Sequence, residues 1–268
     1  MLLLSVLLLL IIISFFLLLL LSVILLLTVF TLHTVLTKII TVRMKTHAHL
    51  YQSFMLKVVR KLMMRGAAVD NKNVYGWTPV MQAARYGHAN IINLILQHQV
   101  DLNGTNAYGM TALGVAARGG HLAVVRLLVE AGADMAAPGG PCEFTPVMVA
   151  ALHGHDAVLR LFLDRGSDVN QRTSSTGITP LMLASLNGHM TTAQILIERG
   201  GDPNLANVLE HTALAVAAIR GKREVRGFLE RKTTNKTIVG KLATFSLFLF
   251  SPLCMLMMLY HNTCVYDD

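Results

Sequence analysis

The chain has 268 residues, of which 53% are hydrophobic and 14% are charged. This composition is too apolar for a disordered chain and too poor in charge for an average soluble domain. The net charge of +8 arises outside the middle of the chain, because residues 66–230 hold 12 Lys or Arg against 13 Asp or Glu. A nucleic-acid partner is therefore not expected, since it would require basic residues clustered on the folded surface.

Residues 1–37 form an apolar segment without a charged side chain. The segment is long enough to cross a bilayer, and the basic residues lie only on its C-terminal side, so insertion would leave the rest of the chain in the cytoplasm. It lacks the basic start and short apolar core of a signal peptide. The abrupt change of composition where it ends also fits translated non-coding DNA, so two interpretations stay open. Residues 38–55 follow as a basic linker.

A repeated phrase dominates the middle of the chain. Each copy has a threonine followed by Pro or Ala, and these threonines are 33 or 34 residues apart: Thr78, Thr111, Thr145, Thr179 and Thr212. The first four copies continue through small residues to Gly-His. Five copies in register indicate a repeat array, and the period is typical of paired-helix repeats.

The phrase resembles the T-P-L-H-x-A pattern of the ankyrin-repeat family, and residues 127–134 and 162–170 resemble that family's L-L-x-x-G-A-D-V-N ending. The resemblance implies an all-α solenoid of about five and a half helix-turn-helix repeats with finger loops, over residues 56–232. The first copy is partial. Residues 58–70 match a second helix and its exit, but the stretch near residues 46–54 lacks the Thr-Pro and Gly-His of a first helix.

Local chemistry explains the recurring residues. Threonine at the N-cap accepts a hydrogen bond from an unpaired helical N–H, and Pro at the first helical position has no N–H to leave unpaired. Glycines are expected to end both helices of each repeat in the left-handed conformation: Gly87, Gly120, Gly154 and Gly188 after the first helices, and Gly132, Gly166 and Gly200 after the second. Gln99 replaces one of these glycines, and Glu143 and Glu210 replace glycines of the fingers.

Fingertips and the inner face of the first helices are the positions that stacking leaves free. The side chains predicted there are unusually aromatic and apolar, and Tyr, Trp and Arg are typical of binding hot spots. An alternative is that the aromatic residues pad neighbouring fingers. The predicted partner-binding residues are Tyr75, Trp77, Arg85, Tyr86, Tyr108, Met110, Arg118, Phe144, Leu152, His153, Ile178, Leu186 and Asn187.

The sequence predicts no catalytic site, no metal site and no cofactor. The recurring histidines His88, His121, His155 and His189 would lie roughly 8–10 Å apart on stacked helices, too far to share an ion. No nucleotide-binding, zinc-protease or hydrolase motif is present. The three cysteines are too few for a disulfide framework and are interpreted as packed or incidental thiols. The ankyrin resemblance implies that Asn170, in an exit loop, could be hydroxylated by an asparaginyl hydroxylase.

Some phrases are more particular than the general ankyrin pattern, namely residues 76–88, 116–122 and 208–213. They resemble the family of ankyrin repeat and SAM domain-containing protein 6, over roughly residues 58–238. That resemblance implies a scaffold of cilia with a NIMA-related kinase, nephrocystin and inversin proteins as partners. No segment of the sequence resembles a SAM domain, which puts any SAM-dependent partnering in doubt.

The chain continues with a basic linker, residues 233–241, and a second apolar segment, residues 242–260, which Pro252 interrupts. This segment is a marginal membrane span or, like the first, translated non-coding DNA. Taken together, the sequence predicts a non-enzymatic protein-binding scaffold in the cytoplasm, with a ciliary setting by resemblance. The alternative is an ankyrin-repeat protein tethered to a membrane through residues 1–37.

Overall fold

A computed structural model of the chain describes residues 56–234. The chain divides into two compact units, residues 1–59 and 60–268, and of the first unit only the helical residues 56–59 are described. The predicted apolar segments 1–37 and 242–260 and the linker 38–55 lie outside the described residues. Among the helices of residues 56–234, none is both long and apolar enough to cross a membrane.

The described part of the chain is built from helices in pairs. Helix α1 covers residues 56–64 and corresponds to the partial first copy. The first helices of the five full repeats are α2 (Pro79–Arg85), α4 (Ala112–Arg118), α6 (Pro146–His153), α8 (Pro180–Asn187) and α10 (Ala213–Ile219). The second helices are α3 (Ala89–Ile95), α5 (Leu122–Glu130), α7 (Asp156–Asp164), α9 (Met190–Glu198) and α11 (Arg223–Glu230). Two isolated bridges, Gly139 with Phe144 and Ala206 with Thr212, are found within fingers.

The marker threonines begin the first helices as predicted. The hydroxyls of Thr78, Thr111, Thr179 and Thr212 accept hydrogen bonds from the backbone N–H three residues ahead, at 3.1 to 3.3 Å. Thr145 has the same extended backbone but makes no such cap bond, and its hydroxyl instead donates to Oε1 of Gln171 at 3.0 Å. The third first helix, α6, therefore begins without a side-chain cap.

Left-handed residues end the helices where glycine was expected. Gly120 has φ +68° and Gly132 has φ +93°, and the other predicted glycines behave alike. Glu143 and Glu210 also adopt positive φ, 54° and 59°, so these fingers keep the left-handed turn without glycine, at a cost of about 1 kcal/mol each. Gln99, which replaces one of the expected glycines, is not among the left-handed residues of the described chain, so the chain leaves helix α3 with a different backbone conformation.

The helices form two layers. First helices of neighbouring repeats contact one another more extensively than second helices do, so the first-helix layer is the inner, concave one. Alanines fully buried in that layer, such as Ala84 and Ala117, allow this close approach. The second helices bury large side chains against it, including Leu128 and Phe162. The arrangement confirms the all-α solenoid with finger loops.

A recurring histidine ties each of the second, third and fourth full repeats to the one before it. Nε2 of His121 donates to the backbone O of Arg85 at 3.0 Å, and His155 and His189 donate to the O atoms of Arg118 and Leu152 at 2.9 and 3.1 Å. Each of these rings lies against the left-handed glycine of the preceding repeat. The histidines therefore serve the stacking of repeats, which agrees with their interpretation as structural residues.

Candidate functional site

The inner helix layer contains no carboxylate among the described residues. None of α2, α4, α6, α8 and α10 includes an Asp or Glu, although the chain has 15 of them. Arg85 and Arg118 lie in the last turns of α2 and α4, and His153 in the last turn of α6. The two arginines complement the helix dipole as cations, so a stabilising role alone would account for their placement but not for the absence of acids.

Arg85 lies between two aromatic rings. Its guanidinium carbon is 5.4 Å from the centroid of the Trp77 ring and 5.5 Å from that of Tyr86. Side chains on a helix point back toward its N-terminus, which brings Arg85 from the end of α2 to the fingertip residue before its start. Within residues 56–234, no carboxylate forms an ion pair with Arg85. The guanidinium is thus positioned by aromatic rings and not by an acid.

Two further basic side chains continue along the layer. Burial, and then the nearby charge of Arg85, lower the pKa of Arg118. Burial also lowers the pKa of His153 to about 4, with smaller contributions from Arg118, His155 and His189. The His153 ring stacks on that of His155 with centroids 6.1 Å apart. Burial is the main cause of both shifts, and the smaller charge contributions indicate that Arg85 lies near Arg118 and that Arg118 lies near His153.

Exposed tyrosines lie in the first two fingers and at the end of α2. Tyr75 and Tyr86 are 53% and 59% exposed, and Tyr108 is 45% exposed. Trp77 and Met110 are partly buried at the bases of the first and second fingers. Backbone pairing fixes the two fingers side by side, because the N–H of residue 107 donates to the O of Tyr75 at 2.9 Å. The tyrosines are therefore held in a defined arrangement at the rim of the concave face.

An asparagine that the sequence interpretation missed builds each of these fingers. Oδ1 of Asn73 accepts hydrogen bonds from the N–H groups of Tyr75 and Trp77, at 3.0 and 2.9 Å. Asn106 and Asn207 do the same two and four residues further along their own fingers. The sequence does contain a signal for this role, because all three asparagines stand five residues before a marker threonine.

Four of the predicted partner-binding residues are not exposed, and the expectation that they lie free on the surface is wrong. Phe144 and Leu152 are each 7% exposed, and Ile178 and Leu186 are each 5% exposed. All four belong to the hydrophobic core, because the spaces between fingers and between first helices in the later repeats are filled by these apolar side chains. Asn187 is exposed, but its Nδ2 donates to the O of Leu152 at 2.6 Å, which gives it a structural role as well.

The remaining predicted residues concentrate in the first two repeats. They are Tyr75, Trp77, Arg85, Tyr86, Tyr108, Met110 and Arg118, with His153 adjoining them from the third. Six of these carry the charged and aromatic character of the surface, and we call them the aromatic–arginine patch: Tyr75, Trp77, Arg85, Tyr86, Tyr108 and Arg118.

Both polar atoms of the Asn170 side-chain amide form hydrogen bonds with the next exit loop. Its Oδ1 accepts from the N–H of Asp202 at 2.8 Å, and its Nδ2 donates to the O of Gly200 at 3.1 Å. Oδ1 of Asn103 and of Asn204 accepts from the next exit loop in the same way. The exit-loop asparagine is thus a link between repeats, and hydroxylation of Asn170 stays a prediction.

No group of three or more metal-ligating side chains lies together within the described residues. Cys142 is partly buried and packs against the hydrophobic core.

The stacked helix pairs, the paired fingers and the open concave face define a helical repeat protein of the kind that binds other macromolecules. The family model for ankyrin repeats, in three copies, matches residues 47–138 and again residues 147–239. The chain therefore belongs to the ankyrin-repeat family. A comparison with curated proteins finds no match.

Proposed function

We propose that this chain is a non-enzymatic scaffold that binds a protein partner through the aromatic–arginine patch. The observation that carries the proposal is the position of Arg85 between the rings of Trp77 and Tyr86 on an open inner face. Ankyrin repeats are protein-interaction modules, and the family match supports that general role.

The composition of the patch favours binding over a purely structural role. Trp, Tyr and Arg are the residue types that most often dominate binding energy at interfaces. If the rings existed only to pad adjacent fingers, they would be buried as Phe144 and Ile178 are. Tyr75 and Tyr86 remain more than half exposed, so their rings offer apolar area that the fold itself does not use.

Tyr86→Ala and Trp77→Ala test the proposal. The full chain is used as bait in quantitative affinity purification, and each variant is compared with the wild type. Leu209→Ala, at the tip of the fifth finger, is the control because Leu209 is 48% exposed but lies three repeats away from the patch. We expect a set of bound proteins to be lost from both patch variants and retained by the control. Equal recovery from all variants would contradict the proposal, provided that circular dichroism shows each of them folded.

The closer resemblance supports a narrower proposal about partners. Residues 76–88, 116–122 and 208–213 are similar to ankyrin repeat and SAM domain-containing protein 6, whose family assembles in cilia. We infer that a NIMA-related kinase, nephrocystin and inversin proteins are candidate partners. Co-precipitation of each with wild-type chain and with Tyr86→Ala tests this directly. Loss of one of them with Tyr86→Ala supports the inference, and absence of all three from the wild-type precipitate refutes it.

Localisation is a separate proposal. We propose a cytoplasmic scaffold, with a membrane tether as the alternative, because residues 1–37 carry no charge and the basic residues after them would leave the repeats on the cytoplasmic side. Alkaline carbonate extraction of the endogenous protein separates these two. Retention in the membrane pellet supports the tether, and release supports the cytoplasmic scaffold. Mass spectrometry of the same sample shows whether peptides from residues 41–45 or from 242 onward exist at all.

A further inference from the structure

We propose that the partner segment bound by the aromatic–arginine patch is an extended, acidic peptide whose carboxylates pair with Arg85 and Arg118. This inference rests on the proposed function and adds the chemistry of the ligand to it.

Charge distribution on the inner layer is the first argument. Five successive first helices contain no carboxylate, whereas Arg85, Arg118 and His153 occupy neighbouring repeats of the same layer. Burial is the larger cause of the lowered pKa of Arg118, and the charge of Arg85 adds to it, which indicates that the two cations lie near each other. A protein that places two cations this way leaves a potential that an anionic ligand would relieve.

Several acidic residues of the described chain have partners in the exit loops or on the second helices. Asp101 and Asp202 accept hydrogen bonds from backbone N–H groups of their own exit loops, at 2.8 to 3.0 Å. Glu130 and Asp164, on the second helices, pair with the arginines of the following repeat at 3.3 and 2.7 Å. These four carboxylates therefore support the outer layer and the exit loops, and none of them forms an ion pair with Arg85.

The geometry favours an extended peptide. Stacked first helices are about 8–10 Å apart, so Arg85 and Arg118 are separated by about one repeat spacing. A peptide in the extended polyproline II conformation advances about 3.1 Å per residue with three residues per turn, so carboxylates three residues apart lie on one side and about 9 Å apart, which matches that separation. Guanidinium groups form paired hydrogen bonds with carboxylates, and the exposed faces of Tyr75 and Tyr86 would cover an apolar residue beside the acids.

Two other anionic ligands fit less well. Tight binding of nucleic acid commonly involves many phosphate contacts, and residues 66–230 have no excess of basic residues to provide them. A membrane surface is broad and flat, whereas Arg118 is partly buried on the concave side of the array. A narrow chain with a few carboxylates is the anion that this face can accommodate.

The test measures binding of a fluorescein-labelled peptide to the full chain by fluorescence anisotropy. The probe is an extended peptide with Glu at every third position and Leu between them, and the matched peptide has Gln in place of each Glu. The protein variants are Arg85→Gln, Arg118→Gln and Arg160→Gln. Arg160 is the control, because it is exposed on the second helix α7 and loses the same charge. Urea unfolding of each variant shows whether the fold persists, and Arg118→Lys serves if Arg118→Gln does not fold.

We expect the Glu peptide to bind, and each patch variant to weaken its affinity by roughly three- to tenfold while Arg160→Gln changes it by less than about twofold. Binding should also weaken as salt is raised, because the charges that pair are partly exposed. A second readout is the titration of His153, whose pKa of about 4 should rise when carboxylates bind beside Arg118.

Three results would overturn the acidic-segment proposal: no binding of the Glu peptide, equal binding of the Gln peptide, or equal effects of all three Arg→Gln variants. Tighter binding of anionic vesicles or of single-stranded RNA than of the peptide would also overturn it, in favour of that ligand. If Tyr86→Ala abolishes capture of a partner that lacks an acidic segment, the scaffold function stands and only the acidic inference falls. If neither the aromatic nor the arginine variants affect any partner, both proposals fall.

Discussion

Substituting Gly120 by alanine should destabilise the array through the histidine of the next repeat. The backbone at Gly120 is left-handed, φ +68°, and a Cβ there would lie 2.6 Å from Nδ1 and 2.7 Å from Cε1 of His155. The ring cannot move aside freely, because its Nε2 donates to the O of Arg118 at 2.9 Å and it stacks on His153. The clash must therefore be relieved by displacing the ring and breaking that bond.

Two contributions set the size of the effect. A left-handed alanine costs about 1–2 kcal/mol relative to glycine, and loss of the histidine hydrogen bond with its stacking adds about 1–2 kcal/mol. The matched control is Gly132→Ala, since Gly132 is also left-handed, φ +93°, but a Cβ there would meet no atom within 4 Å. We expect a loss of about 2–4 kcal/mol for Gly120→Ala and about 1–2 kcal/mol for Gly132→Ala.

Urea unfolding followed by circular dichroism measures both losses. A double-mutant cycle with His155→Ala isolates the clash, because removing the ring removes its collision with the new Cβ. In the His155→Ala background, Gly120→Ala should cost no more than Gly132→Ala does. Equal costs for the two glycine substitutions in the wild-type background, or full additivity in the cycle, would refute the role assigned to the His155 ring.

Three further outcomes are expected. Asn106→Ala removes the acceptor of two finger N–H groups and should lower the free energy of unfolding, measured in urea, by about 2 kcal/mol. Asn106→Asp keeps that acceptor and should lower it much less, because Nδ2 of Asn106 has no hydrogen-bond partner to lose. The pKa of His153 in the folded state is about 4, below its ordinary value of 6.5, so the free energy of unfolding should be unaffected above about pH 6.5 and should fall as the pH drops toward 4. Between pH 7 and pH 5, the free energy of unfolding of the wild type should fall by about 2 kcal/mol more than that of His153→Gln. Arg199→Gln breaks an exposed ion pair with Asp164 and should change the free energy of unfolding by less than about 1 kcal/mol, so a larger loss would contradict this assignment.

Most of the fold could be predicted from the repeated sequence pattern. Thr78 and Gly120 have local roles, N-capping and left-handed termination, and such roles can be read from residue type and spacing alone. Thr145 shows the limit of that logic. Its hydroxyl donates to Gln171, 26 residues away, and a competing partner at that distance has no signature in the local phrase.

The binding surface was harder to predict, because exposure depends on the neighbouring repeat. Phe144 and Trp77 stand at the same repeat position, yet Phe144 is buried and Trp77 is only partly covered. Leu152 and Arg118 likewise stand at the same repeat position, but only Arg118 has a polar group that a partner could bind. Position within the repeat therefore identified where a partner could bind, while side-chain size and the packing of adjacent fingers decided which repeats offer a surface.

The hydrogen bonds between side chains and the neighbouring repeat have a mechanical consequence. They include His121 to Arg85 and Asp202 to Asn170, and each joins residues that are about one repeat apart in the chain. Because such bonds connect adjacent units only, tension applied along the array would be carried in series through one interface after another. Stretching the protein in an optical trap should therefore release repeats singly or in small groups from an end, and lengthening the chain by one duplicated unit would add one more interface of the same kind.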